Sequence, residues 1–263
     1  EHHVDEIIKR MQGSTFTCLQ EHSCSQAQLA SMQKLLRENG IAGIFGTLDT
    51  ASRHNLAGMG TIGRQPHRVI KIEAKTAAFK EAMETGRVQH VALTMGNGHI
   101  LDVYNIYGYS GGHGSKAQAK KTNELIMIIK AEMAEHPKGP TCILGDVNAD
   151  PEDIKELQLL LDEEDWIDLG AKADRWDQPI KEYTCMTAGA KRPTRRDYIF
   201  VNSDLWPMVT NFCVEHSDDF PTHSILRMRV NFKDVTHERR ILQKPLSLYE
   251  MMRHACLGEH QED

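Results

Sequence analysis

No apolar run in this sequence approaches membrane-spanning length, so no segment reads as a transmembrane helix. The N-terminus lacks the pattern of a secretory signal peptide. There is no Cys-x-x-Cys pair either; the six cysteines, at 18, 24, 142, 185, 213 and 256, lie scattered. Cys18, Cys142 and Cys213 fall in strand-like apolar runs, where a reduced core thiol is the ordinary role. A reducing intracellular compartment, nucleus or cytoplasm, is therefore expected. Positive charge is not in excess. The formal net charge of -6 argues against a generally basic nucleic-acid binder. It leaves room for a local basic patch, because a metal-dependent site brings carboxylates of its own. Internal repeats and low-complexity segments are absent, which favours one domain.

What is present is ordinary in bulk. With 263 residues, 40% of them hydrophobic and 26% charged, the chain can bury a full core. The domain is expected over residues 1–232, and the charged stretch 233–263 reads as a tail or linker. Opening on Glu1 rather than Met is what a fragment of a longer polyprotein would show.

The most informative stretch is Thr141-Cys142-Ile143-Leu144-Gly145-Asp146-Val147-Asn148-Ala149-Asp150-Pro151. A short apolar run ends on glycine, Asp146 and Asn148 follow two apart, and Asp150-Pro151 suits the start of a helix. Alternate residues of an extended segment share a side, which would let Asp146 and Asn148 face one point. A carboxylate and a carboxamide so placed suit a hydrated metal, an attacking water or a phosphate oxygen. By itself the stretch favours a plainer reading, a strand ending in an Asx-type turn that caps a helix. It becomes chemistry when other carboxylates and a histidine recur at other strand ends.

They do recur. Thr15 to Leu19 reads as a strand that delivers Gln20-Glu21-His22. Ser25 caps a helix that runs to Asn39, with Leu29, Met32, Leu35 and Leu36 on its apolar face. Short strands follow at 41–45, 58–62 and 68–72, with a polar loop over 49–55 between them, then a helix over 75–85. Arg87–Met95 and His99–Tyr107 form a hairpin across Gly96-Asn97-Gly98. A long helix spans 115–135, and an amphipathic one spans 153–164 behind Ile154, Leu157, Leu160 and Leu161. The segment 166–169 is expected to pack beneath the loop that follows it. Strands at 197–202, 209–214 and 224–232 complete the pattern. Grouped strands separated by helices predict a layered α/β sandwich.

Several of these strand ends carry polar residues in an order that resembles the endonuclease/exonuclease/phosphatase superfamily. Cys18-Leu19-Gln20-Glu21 is similar to its Leu-Gln-Glu segment, and Asn105-Ile106-Tyr107 to its Asn-x-Tyr strand end. Gly145-Asp146-Val147-Asn148 resembles its Gly-Asp-x-Asn motif, the most specific of the set. Tyr183-Thr184 and then Arg195-Arg196-Asp197-Tyr198-Ile199 resemble its threonine followed by Arg-x-Asp-Tyr-Ile. The family's first strand, which ends in an asparagine near the metal, has no counterpart before Val4. Its last motif, Ser-Asp-His-x-Pro, fits Ser217–His223 in two registers. In one, Asp219 takes the histidine place and Pro221 is preserved. In the other, His223 precedes the final strand. His223 is preferred, because imidazole can donate to a phosphate oxygen and an ionised carboxylate cannot. Asp219 or Asp218 would then orient the ring.

The resemblance implies a four-layer sandwich of two packed mixed sheets flanked by helices, the deoxyribonuclease-like arrangement. It implies Mg2+, with Mn2+ as a substitute, held by Glu21 and Asp197. Asp146 would orient or deprotonate water with Asn148 fixing it, while His223 and Tyr107 would donate to phosphate oxygens. The basic run Lys191–Arg196 is either a solvated loop or a phosphate contact. The expected activity is endonucleolytic cleavage of DNA, as in a retrotransposon endonuclease domain. The alternatives are a phosphatase of the same fold acting on a small phosphorylated molecule or lipid, and a binding module without catalysis. Thiol titration of the denatured protein without reductant is expected to count all six cysteines. A lower count, with Cys18–Cys24 as the nearest pair in sequence, would overturn the reduced-thiol reading.

Overall fold

The computed structural model describes residues 2–46, 58–95, 98–112, 114–187, 189–220 and 222–232. The expected polar loop over 49–55, the hairpin residues Gly96 and Asn97, Pro221 and the tail 233–263 lie outside the described residues.

The chain begins with helix α1 (His2–Arg10), then strand β1 (Phe16–Leu19), helix α2 (Gln26–Glu38), β2 (Ile41–Phe45) and β3 (Gly60–Arg64). The strands form an antiparallel sheet in the order β1-β3-β2. Helix α2 starts where a capping box forms: the Ser25 hydroxyl accepts from the Gln28 N–H, and the Gln28 side chain accepts from the Ser25 N–H. Its Leu29, Met32 and Leu36 lie on one face and bury against Met11, Ile41 and Ile62, with Ile7 and Ile8 of α1 alongside.

The second sheet has six strands. It takes β4 (Arg68–Lys71), β5 (Val88–Thr94), β6 (Ile100–Tyr107), β7 (Thr141–Asp146), β8 (Ile167–Asp168) and β9 (Asp197–Val201) in the order β4-β5-β6-β7-β9-β8. Only β6 and β7 run parallel, and the long helix α4 (Lys116–Ala134) is their crossover. Helices α3 (Ala77–Glu84) and α5 (Lys155–Glu163) lie with α4 on one face of this sheet. Phe79, Ile126, Ile129, Leu157 and Leu160 from these helices join Tyr104, Ile106, Ile143 and Phe200 from the strands in the largest core cluster. A separate hairpin, β10 (Val209–Glu215) with β11 (Ile225–Val230), closes the described chain. The layers are therefore helix, sheet, sheet, helix, the expected α/β sandwich, with β10 and β11 paired apart from the three-stranded sheet.

The facing sheets are joined by polar groups as well as packing. Gln20 donates to Asn105 Oδ1 (2.6 Å), and Asn105 donates to the Leu19 carbonyl (3.2 Å). Thr61 donates to Gln89 Oε1 (2.6 Å), and Gln89 donates to the Ile44 carbonyl (3.1 Å). Thr61, Gln89 and Asn105 are buried, so these bonds satisfy groups that water cannot reach. Among the described residues Cys18, Cys24, Cys142, Cys185 and Cys213 are free thiols. Its surroundings push the half-buried Cys18 thiol up to about 11, which keeps it protonated and unreactive.

Two local readings change. Segment 166–169 does not simply underlie a loop: Ile167 and Asp168 pair with Val201 and Phe200 as the sheet's edge strand. A two-residue strand is too short to show periodicity. Within it, the buried Asp168 takes a bidentate contact from the buried Arg195 (2.7 and 2.5 Å). Arg195 also lies 4.3 Å from the Tyr198 ring centroid. Arg195 thus belongs to the core and not to the basic run that was a candidate phosphate contact. Removing one member of such a pair strands a buried charge. Asp168→Ala is expected to cost about 3–5 kcal/mol in urea unfolding, and a hydrophobic double replacement of Asp168 and Arg195 to restore most of it. A loss below about 1 kcal/mol for Asp168→Ala would contradict this account.

Candidate active site

The register of three strands sets the site. Tyr107 is the partner of Asp146 across β6–β7, and Asp146 is the partner of Asp197 across β7–β9. Three polar residues from distant parts of the sequence so stand in one row across the sheet. Gly145 permits the approach: its φ is +136°, and a Cβ there would lie 2.0 Å from the Ile106 carbonyl oxygen. At the Tyr107 end, the buried Arg87 lies 5.1 Å from the ring centroid and donates to the Gly108 carbonyl (3.2 Å).

Asn148 does not share an extended face with Asp146. Its φ is 58°, a left-handed conformation that asparagine tolerates better than most residues. The backbone turns back, so that the Asn148 N–H donates to Asp146 Oδ1 (2.9 Å) and its side-chain amide to Oδ2 (2.8 Å). The Asx turn and the site are the same object. Both Asp146 oxygens are fixed by one residue.

Asp197 is held from the loop before it. Thr184 Oγ1 accepts from the N–H of both Arg196 and Asp197 (3.0 Å each). Asp197 Oδ2 lies 2.9 Å from His223 Nδ1, and His223 Nε2 lies 3.6 Å from Cys185 Sγ. Backbone bridges join Cys185 to both Thr194 and His223, which brings the histidine to the row. Asp146, Asp197 and His223 each present one atom within 4.8 Å of the others.

Charge follows from this packing. Burial, then the neighbouring charge of Asp197, pushes the Asp146 carboxyl up to about 7, against the pull of His223, the Asn148 N–H and Arg196. Burial opposes charging of the His223 ring, but the Asp197 bond and charge, with Asp146 beyond, outweigh it and raise its pKa. Burial chiefly pushes the Tyr107 hydroxyl up to about 12, where it remains a neutral donor; Ser110 lowers it, and Glu21 and Asp146 add to the rise.

The residues expected from sequence are not all equally placed. Glu21 is exposed, with φ 54°, and its carboxylate acts on the Tyr107 hydroxyl across the gap between the sheets. Glu21 thus lies at the Tyr107 end of the row, while Asp197 lies at the other with one oxygen turned to His223. Asp219 is exposed and bonded to Ser217 within its own loop (3.2 and 3.3 Å). The carboxylate that orients the His223 ring is Asp197, 26 residues away, and not the loop aspartate close to it in sequence. Cys185 carried no sequence signal at all, and Thr184 only its place in a motif.

A divalent cation suits this donor set. A row that holds Asp146 up to about 7 against a second buried carboxylate has an excess of negative charge that a hard cation would relieve. Glu21 offers a further carboxylate at the exposed rim.

No family model matches the sequence, and no curated protein matches it. The structure is similar to a 3'-5' exonuclease (NExo) from Neisseria meningitidis, with TM-score 0.65 and 17% identity over 87% of this chain and 94% of that one. It is similar to an AP endonuclease from Archaeoglobus fulgidus (TM-score 0.65, 12% identity, 87% and 94% covered). It is also similar to the 3' phosphatase NExo from Neisseria bound to a product DNA hairpin (TM-score 0.62, 17% identity, 86% and 94% covered). The chain has the endonuclease/exonuclease/phosphatase fold. In that fold's terms, the Gly-Asp-x-Asn stretch ends β7, and the Arg-x-Asp-Tyr-Ile stretch opens β9 beside it.

The Asp197–His223 contact makes a signed prediction. In metal-free protein, NMR titration should place His223 above the usual histidine value of about 6.5. In Asp197→Asn it should fall below that value, because burial then acts with less opposition. A raised pKa contributes stability that is fully present below the unfolded value and is lost as pH rises through the folded one. Asp197→Asn is therefore expected to destabilise more at about pH 6 than at about pH 9. A His223 titration unmoved by Asp197→Asn would contradict the contact.

Proposed function

We propose that this chain is a Mg2+-dependent phosphodiesterase that cuts DNA endonucleolytically by attack of water, with Mn2+ able to substitute. The observation that carries the proposal is the row Tyr107–Asp146–Asp197 with His223 hydrogen-bonded to its far end. Phosphodiester hydrolysis needs a positioned water, donors for the charge that develops on phosphate, and help for the leaving oxygen.

Asp146 can take a proton from water near neutral pH, and Asn148 holds its oxygens so that their direction does not drift. His223 has its Nδ1 turned to Asp197; its Nε2, 3.6 Å from the Cys185 thiol, is the nitrogen that would donate to a phosphate oxygen in place of that weak sulfur contact. The ring's raised pKa, set by the Asp197 bond and charge against the effect of burial, favours the charged form, in which Nε2 also carries a proton. Tyr107 supplies a second, neutral donor. Glu21 would hold Mg2+, with the Asp197 oxygen not turned to His223 nearby or acting through water, and the ion when bound would neutralise phosphate and leaving-oxygen charge. DNA as the substrate draws on the structural neighbours, one of which is bound to a DNA hairpin.

Metal-stripped protein should nick supercoiled plasmid only when Mg2+ or Mn2+ is restored. His223→Ala is expected to lower turnover by about 10²–10⁴-fold, the usual worth of a positioned acid–base or donor group. Asp219→Asn should remain near the parent rate. The reverse ranking would reinstate the other register of the final motif. Release of inorganic phosphate from a 3'-phosphorylated oligonucleotide without nicking would move the reading to a phosphatase. DNA binding with neither reaction would make the chain a binding module.

A further inference from the structure

On the helix-covered face of the six-stranded sheet lies a second group of ligand-type side chains. Residues alternate between the faces of a strand. In β6, Asn105 faces the three-stranded sheet, while Tyr104 and Ile106 face the helices. In β5, Gln89 likewise faces the small sheet, and His90 stacks on Tyr104 (centroids 4.0 Å apart, 16° between planes) and meets the Phe79 ring of α3. His136, just beyond α4, packs edge-on against His90 with centroids 4.7 Å apart. Glu132, one helical turn before it, lies 2.9 Å from His136 Nε2. The three residues each present one ligand atom within 4.8 Å of the others.

We propose that His90, Glu132 and His136 form a metal site distinct from the Asp146 row, suited to Zn2+, that clamps the end of α4 to β5. Two imidazoles and one carboxylate are a zinc donor set, whereas Mg2+ takes oxygen and resists losing its water. The second observation concerns His90. It is 1% exposed, and its Nδ1 is buried with no hydrogen-bond partner. Its Nε2 lies 3.1 Å from Asp102 Oδ1. A carboxylate at Nε2 places the ring proton there and leaves the Nδ1 lone pair unused. Metal-binding histidines are held in this way, with the far nitrogen donating to a carboxylate.

Glu132 is also held in advance. Its oxygens accept from the Lys75 N–H (2.7 Å), the Thr76 N–H (2.8 Å) and the Thr76 hydroxyl (2.8 Å). These bonds hold Thr76, whose hydroxyl caps the start of α3, so an ion on Glu132 would connect α3, α4 and β5. The proton now shared between His136 Nε2 and Glu132 leaves to solvent when both give an electron pair to the ion. The His136 side chain keeps 12% exposure, so solvent reaches this edge of the cluster.

The test uses the metal-stripped full chain loaded with zinc chloride, desalted and assayed for bound zinc. It includes two variants, Asp197→Asn at the proposed active site and His136→Gln here. His136→Gln leaves Glu132 bonded to Thr76 at the start of α3, and circular dichroism checks its fold. One zinc equivalent should survive in Asp197→Asn and be lost in His136→Gln. Saturating zinc should raise the melting temperature by about 5 °C in Asp197→Asn and leave unchanged the double variant Asp197→Asn with His136→Gln, in which neither cluster is intact. Co2+ in place of zinc should give visible absorption bands in Asp197→Asn that vanish when His136→Gln is added. Equal zinc content in His136→Gln and the parent would overturn the site. So would loss of the equivalent in Asp197→Asn alone.

Discussion

Strand register is the constraint on which the rest depends. Tyr107, Asp146 and Asp197 meet because β6, β7 and β9 are aligned so that these residues are lateral neighbours. A slip of one residue in either pairing would turn a whole strand's side chains to the other face. The alignment is fixed by apolar positions that must enter the core: Tyr104, Ile106, Ile143, Tyr198 and Phe200 all lie in one cluster. The chemistry is thus ordered by packing behind it. Gly145 is a tight point of that packing: no side chain fits between β7 and the Ile106 carbonyl.

The row joins two carboxylates in different electrostatic situations. Asp146 is driven upward by burial and by its neighbour, while Asp197 has an imidazole to share its charge. On the proposed reading, that difference gives the two carboxylates separate duties without any change of residue type. The same holds for the two arginines that precede Asp197. Arg195 is locked to Asp168 in the core, and Arg196 lends positive charge to Asp146.

Much of the fold was legible in the sequence because its signals are local. The Ser25–Gln28 box, the glycine-turned hairpin and the apolar face of α2 each depend on residues within a few positions of one another. Strand ends carrying Glu21, Tyr107, Asp146 and Asp197 could be read as well. What could not be read was long-range or backbone-driven. Asn148 reaches Asp146 through a left-handed turn and not through strand alternation. Asp197 reaches His223 through a bridge between the 184–185 segment and residue 223. The edge strand at Asp168 has only two residues to announce it. His90 and His136 come together by tertiary packing alone.

The buried amide bonds between the sheets have a further consequence. Glu21 sits at the end of a strand in the three-stranded sheet, and Tyr107 and Asp146 belong to the six-stranded one. Greasy faces slide over one another at little cost, whereas a hydrogen bond from Gln20 to Asn105 tolerates little displacement. Gln20 is the residue next to Glu21, and Asn105 lies two before Tyr107. The joint works as a dowel beside the working edge: it holds one half of the site in alignment with the other.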